Sequence, residues 1–212
     1  MKRLFLLTLL LGTRTVLAQH SPQVRVGWNV NPLLFRTVEL MGEYRPQPRT
    51  GFTIHGGHTD RTRNEGIPYF PVGDYIDDRV TSGSFLKLGT RTYLSRWQQP
   101  DKPGSWFLGA SVGGSWFRQS FKQFDATSSA TPLPFDNREI GGFVGGVAGI
   151  AGWNLTPRRH RFGMDIGLQY SIQQRRETPG RSGRNYQPGF GRILSGRIPT
   201  SLQGIFTLSY RL

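Results

Sequence analysis

Residues 164–172 read Met-Asp-Ile-Gly-Leu-Gln-Tyr-Ser-Ile. Side chains alternate in direction along an extended chain. Met164, Ile166, Leu168, Tyr170 and Ile172 therefore share one face, and Asp165, Gly167, Gln169 and Ser171 the other. The same two-residue period recurs on both sides of this stretch. Toward the C-terminus, Leu202, Gly204, Phe206, Leu208, Tyr210 and Leu212 alternate with Gln203, Ile205, Thr207, Ser209 and Arg211. Toward the N-terminus, Trp106, Leu108, Ala110, Val112 and Trp116 form one such face, and Leu86, Leu88, Thr90, Thr92 and Leu94 another. Before them come Phe52-Ile54-Gly56, Val38-Leu40-Gly42-Tyr44 and Val24-Val26-Trp28-Val30. The glycine-rich segment from Phe143 to Leu155 makes an eighth strand with no decisive facing. Each candidate is roughly 8–13 residues long, the length that a tilted membrane-spanning strand requires.

Alternation alone fits a soluble sandwich with its apolar face inward as well as a membrane barrel with that face outward. The connections separate the two. Those at 45–49, 95–104 and 156–161 are short, whereas 59–83, 119–141 and 174–200 are long. Short and long connections alternate, apart from the brief outer link at 31–37. An even-stranded barrel with both termini on one side produces this order, with tight turns at one rim and long loops at the other. The expected fold is an eight-stranded antiparallel transmembrane β-barrel with long outer loops and short periplasmic turns. Trp28, Tyr44, Tyr93, Trp106, Trp116, Trp153 and Tyr210 fall toward strand ends, as interfacial aromatic girdles do.

Residues 1–18, MKRLFLLTLLLGTRTVLA, have a basic start, a short apolar run and a Val-Leu-Ala end. This is the pattern of a secretory signal peptide, and its apolar run is too short to span a bilayer. The expected organisation is a signal peptide at 1–18 and a barrel domain at 19–212, with no further periplasmic domain. The chain has no cysteine, which leaves no thiolate nucleophile and no disulfide framework. Its formal charge of +14 becomes +11 once Lys2, Arg3 and Arg14 are removed with the leader. For an exported protein this charge favours anionic lipid over nucleic acid, and no nucleic-acid partner is expected.

The signal peptide, the opening VRVGWNVNP, the second strand VELMGEYRP and the closing IFTLSYRL together resemble the outer-membrane β-barrel domain family of small OmpA-like barrels. The resemblance implies the outer membrane of a Gram-negative-type bacterium. It also implies that the barrel-assembly machinery reads the last strand, whose Phe206, Leu208, Tyr210 and Leu212 resemble the family's terminal signal.

The face opposite the apolar one carries Arg25, Glu39, Glu43, Lys87, Arg91, Asp165 and Arg211, with Gln169 and Gln203. Eight strands leave a lumen just filled by side chains, so these charges are expected to pair as a structural ion network. A narrow gated polar path is the other reading of the same residues. The last long connection bears Arg175, Arg176, Arg181, Arg184, Arg192 and Arg197 among Tyr186, Pro188 and Phe190. Arginines clamp phosphates bidentately, so this loop is expected to contact lipopolysaccharide or another anion. His55 and His58, in HGGH, point to opposite strand faces, and neither a metal nor a cofactor is expected. No catalytic residue is assigned. The leading reading is a non-enzymatic structural or binding barrel, or an accessory subunit of a larger outer-membrane complex. Two alternatives stand beside it. One is a lipid- or lipopolysaccharide-modifying enzyme, for which Ser82, Ser84, Ser115, Ser120, His55, His58, Asp60 and Glu65 supply the residue types. The other is a soluble lipocalin-like carrier.

Overall fold

The computed structural model describes residues 22–63, 76–94, 104–123, 136–156, 160–174, 186–193 and 200–212. The expected leader at 1–18 lies outside them. In the described residues, β1 (Gln23–Asn29) leads through a 3-10 turn (Asn31–Phe35) into β2 (Thr37–Gln47). The wall continues with β3 (Thr50–Arg63), β4 (Ile76–Tyr93), β5 (Ser105–Gln123), β6 (Asp136–Asn154) and β7 (Phe162–Gln173). A short hairpin, β8 (Tyr186–Gln187) and β9 (Gly191–Ile193), precedes the last wall strand, β10 (Thr200–Arg211). Neighbouring strands pair antiparallel in chain order, and β1 pairs with β10 from Arg25↔Arg211 to Asn29↔Thr207. That pairing closes an eight-stranded antiparallel barrel and leaves its wall without an edge.

The facing follows the alternation. Leu86, Leu88, Leu108, Val112, Ile166, Leu168, Tyr170 and Leu208 are exposed on the outside. Arg25, Glu39, Lys87, Arg91, Asp165 and Gln169 are buried inside. Leaving one such apolar side chain in water forgoes roughly 1.5–3 kcal/mol. A continuous belt of them is far larger than a soluble monomer tolerates. An apolar exterior around a charged interior is the arrangement of a membrane barrel, and the reverse of what a water-soluble carrier needs. The glycine-rich β6 resolves the same way: Phe143, Val147 and Trp153 face out, while Val144, Ala148 and Ile150 face in.

Three expectations change. First, the wall rises beyond the sequence-derived ends, since β4 has 18 residues and β5 and β6 have 19 each, against 7 for β1. The connections read as 59–83 and 119–141 are therefore partly strand. Beyond the apolar belt the outward positions turn polar, as at Arg118 and Ser120, while Phe117 and Phe121 face inward, so the period-two signal no longer marks an apolar outer face although the backbone ladder continues. Second, Tyr93 does not belong to an aromatic girdle. It is buried inside and packs with Phe107, Ile150 and Ile205. Trp106 and Trp153, by contrast, stack outside at 5.3 Å between ring centroids. Third, the last long connection is not all loop, because β8 and β9 turn into the barrel.

Candidate functional site

Every strand delivers its inward side chains to one enclosed space, so the lumen is the candidate site. It has three levels between the short-turn end and the long-loop end. The first is centred on Asp165 and Glu43. Asp165 Oδ2 accepts from Arg25 Nη2 at 2.9 Å and from Arg91 Nη1 at 2.8 Å. Asn154 Nδ2 donates to the other oxygen. Glu43 Oε1 takes Arg45 Nε at 2.7 Å and the Tyr93 hydroxyl at 2.5 Å, and Arg25 Nε lies 3.6 Å from Oε2. The Arg45 guanidinium lies over the Tyr93 ring at 3.7 Å, and that of Arg91 over Phe107 at 4.7 Å. Rings thus complete the surroundings of cations whose remaining neighbours are carboxylates.

The second level is centred on Glu39. Its Oε1 pairs with Lys87 Nζ at 2.9 Å and meets His55 Nδ1 at 2.9 Å. Its Oε2 accepts from Asn29 Nδ2 at 3.0 Å and Gln203 Nε2 at 3.3 Å. Lys87 Nζ also donates to Gln169 Oε1 at 3.2 Å, which ties β2, β4 and β7 together across the lumen.

The third level is the β8–β9 hairpin. It pairs with β10 through Ile193↔Ser201 and Arg192↔Leu202, beyond the point where β1 has ended. The short β1 thus leaves a gap in the ladder that β9 fills. Tyr186, Gln187 and Phe190 point inward and are buried. The Tyr186 ring stacks on Phe35 at 4.7 Å, and its hydroxyl lies 3.0 Å from Thr37 Oγ1. Gln187 Nε2 donates to Ser115 Oγ at 3.0 Å, and Gln169 Nε2 to the Gly189 carbonyl at 3.2 Å. The Ser201 hydroxyl donates to the Phe190 carbonyl at 2.8 Å. Gly189 sits against Phe85 with φ +79°, where a Cβ would lie 2.5 Å from the ring. Both the left-handed backbone and the ring contact require glycine there.

Arg25, Glu39, Glu43, Lys87, Arg91 and Asp165 are thus brought together in the interior. Arg211 stands opposite Arg25 but is only half-buried, at the rim of the short-turn end. The sequence reading missed His55, Asn29, Asn154 and Tyr93 as members, and it assigned Arg45 to a turn. Alternation carried part of this signal, since Arg45 lies two residues beyond Glu43 and so shares its face. Arg175, Arg176, Arg181, Arg184 and Arg197 lie outside the described residues. Arg192 lies in β9, so its backbone belongs to the inserted hairpin and not to a free outer loop. Tyr186 and Phe190, read as aromatics interleaved among those arginines, are instead lumen residues, because burying large rings outweighs leaving them in water.

His55 and His58 do not converge: His55 is inside on Glu39, and His58 is exposed outside with Nδ1 2.9 Å from Ser84 Oγ.

No family model matches the chain, and no curated protein matches it. The solved structures similar to it include a barrel domain and a surface protein. The N-terminal β-barrel domain of Pseudomonas aeruginosa OprF is 7% identical with a TM-score of 0.42, covering 90% of this chain and 96% of that one. Neisserial surface protein A is 11% identical with a TM-score of 0.41, covering 90% and 93%.

Proposed function

We propose that this membrane barrel resides in a bacterial outer membrane and serves a non-enzymatic structural or binding role at the envelope, alone or as an accessory subunit of a larger complex. The observation that carries the reading is the filling of the lumen at three successive levels. Two are polar networks, and the third is the hairpin. A barrel closed in this way presents its outer connections, not a bore, to its surroundings.

In this reading Arg175, Arg176, Arg181 and Arg184 contact the phosphates of lipopolysaccharide at the long-loop end, and the barrel-assembly machinery inserts the chain through β10. Changing these four residues to Ser in the folded full chain is expected to weaken binding to lipopolysaccharide vesicles at least ten-fold. Added salt should erase the difference between the two proteins, as it does for exposed charge pairs. Equal binding by parent and variant at low salt would remove the loop from the proposal.

The His58–Ser84 contact favours one second reading, a barrel enzyme acting on lipid. A nucleophile and a base within hydrogen-bond reach on the exposed wall meet the first geometric condition for acyl transfer. A third orienting group is the usual complement. Asp60 is exposed on the same strand face, yet among the described residues no carboxylate bonds to His58. Lipid A from cells overproducing the chain is expected to keep its acyl pattern, identically for the parent and for Ser84→Ala. An acyl loss present with the parent and absent with Ser84→Ala would replace the binding role by the enzymatic one.

A further inference from the structure

The start of β7 and the end of β10 meet on the outer wall at the short-turn rim. Antiparallel pairing sets Phe162 opposite Tyr210, and one step further on the Arg211 amide donates to the Arg161 carbonyl at 2.8 Å. Phe162 shares the outward parity of Ile166, and Tyr210 that of Leu208. Their rings meet edge to face, with 5.0 Å between centroids. Phe162 and Leu212 are 74% and 73% exposed, so large apolar side chains reach the end of the belt here. Arg161 stands just beyond Phe162 and is exposed.

This arginine is fixed by a neutral group. Its Nη1 donates to the Tyr210 hydroxyl at 3.1 Å. Among the described residues, no carboxylate comes within ion-pair distance of it. A guanidinium presents several N–H donors in a planar fork, and the phenol takes only one of them. The phenol accepts that bond and keeps its own hydrogen to donate elsewhere. A cation and a hydroxyl donor thus stand side by side where the wall changes from apolar to polar. From Tyr210 an apolar column runs toward the middle of the wall, since Val26 pairs with Tyr210 and Trp28 with Leu208. All three of Val26, Trp28 and Leu208 are exposed.

We propose that Arg161 and Tyr210 hold the headgroup phosphate of an anionic phospholipid in the leaflet at the short-turn end, with one of its acyl chains lying along Val26, Leu208 and Trp28. The arginine fork takes phosphate oxygens, which is the geometry that suits guanidinium best. The Tyr210 hydroxyl donates to the same phosphate while accepting from Arg161, and the Phe162 edge steadies its ring. A net negative headgroup is preferred because a basic residue at a membrane surface is drawn to anionic lipid. A zwitterionic headgroup brings a cation along with its phosphate, and that cation faces Arg161. The site rests on the wall crossing a bilayer, and neither on the loop arginines nor on the envelope role.

The test uses the full chain folded in maltoside micelles, which carry neither phosphate nor charge, with the Leu212 backbone amide and the Arg161 Nε–H followed by nitrogen-15 NMR. Dihexanoyl phosphatidylglycerol is expected to shift both signals saturably. Dihexanoyl phosphatidylcholine should need about ten-fold more for the same shift, and glycerol phosphate, which lacks acyl chains, more again. Arg161→Ser is expected to weaken phosphatidylglycerol binding about ten-fold, the worth of a hydrogen bond to a charged group, read at Leu212. Tyr210→Phe keeps the ring, loses the hydroxyl and is expected to weaken binding about three-fold. Arg49→Ser, which removes a charge from the exposed β2–β3 turn at the same end, should leave binding unchanged. Equal losses from Arg161→Ser and Arg49→Ser would assign the effect to diffuse charge and overturn the site. Glycerol phosphate binding as tightly as phosphatidylglycerol would overturn the lipid as its occupant. If phosphatidylglycerol moves neither signal while Leu168→Arg still destabilises the barrel in vesicles, the membrane reading stands and the site alone is lost.

Discussion

Asp165→Leu is expected to lose about 3–5 kcal/mol of barrel stability, the range for removing one partner from a buried ion pair. The carboxylate of Asp165 is the shared acceptor for Arg25 at 2.9 Å and Arg91 at 2.8 Å, and all three groups are buried. Leucine fills a similar volume, so the loss measures charge and hydrogen bonding and not a cavity. Two guanidinium groups would remain in the interior with Glu43 as their nearest anion, and Glu43 is already engaged by Arg45 and Tyr93. Asp165→Asn keeps an acceptor oxygen but not the charge, and is expected to fall between parent and Asp165→Leu. Refolding into lipid vesicles across a urea series, followed by the difference in gel migration of unboiled and boiled samples, reads the effect. If Asp165→Leu refolds with the parent's midpoint, Asp165 is not what neutralises the two arginines.

Leu168→Arg tests the opposite face of the same strand and is expected to cost about 2–4 kcal/mol, the penalty for a cation at the bilayer midplane on a barrel's lipid side. Leu168 is near the middle of β7, pairs with Ala151 and Gly204, and is 56% exposed. In water that exposure would make arginine harmless or even favourable, so the sign of the result distinguishes hydrocarbon from solvent around the wall. Phe162→Arg, at the short-turn end of the same strand, carries the same chemical change to the interface and is expected to cost only about 0–1 kcal/mol. Equal midpoints for Leu168→Arg and Phe162→Arg would argue that β7 does not cross a bilayer.

The adjacent residues Leu168 and Gln169 also illustrate how much of the molecule was legible beforehand. One is outside and the other inside because a strand has no other way to dispose of neighbouring side chains. The same reasoning gave the inward positions of Arg25, Glu39, Glu43, Lys87, Arg91 and Asp165. It failed at Tyr93, where an aromatic near a strand end resembled a girdle residue but its parity put it inside, against Glu43. It also failed at Tyr186 and Phe190. These belong to a connection whose composition looks like a solvated loop, and nothing local says that the segment turns back into the barrel.

Period two in the side chains and parity in the connection lengths were enough, by themselves, to determine a closed antiparallel wall with its apolar face outward, since both are properties of a chain read in order. Which charges meet, how far β4, β5 and β6 rise, and what closes the long-loop end were decided only in three dimensions. Pairing Arg25 with Asp165 joins residues 140 apart in the chain. Seating Tyr186 against Phe35 and Thr37 depends on the early end of β1, which leaves β9 a place on β10. Such contacts depend on barrel registry and on the space left between walls, and no single strand encodes either.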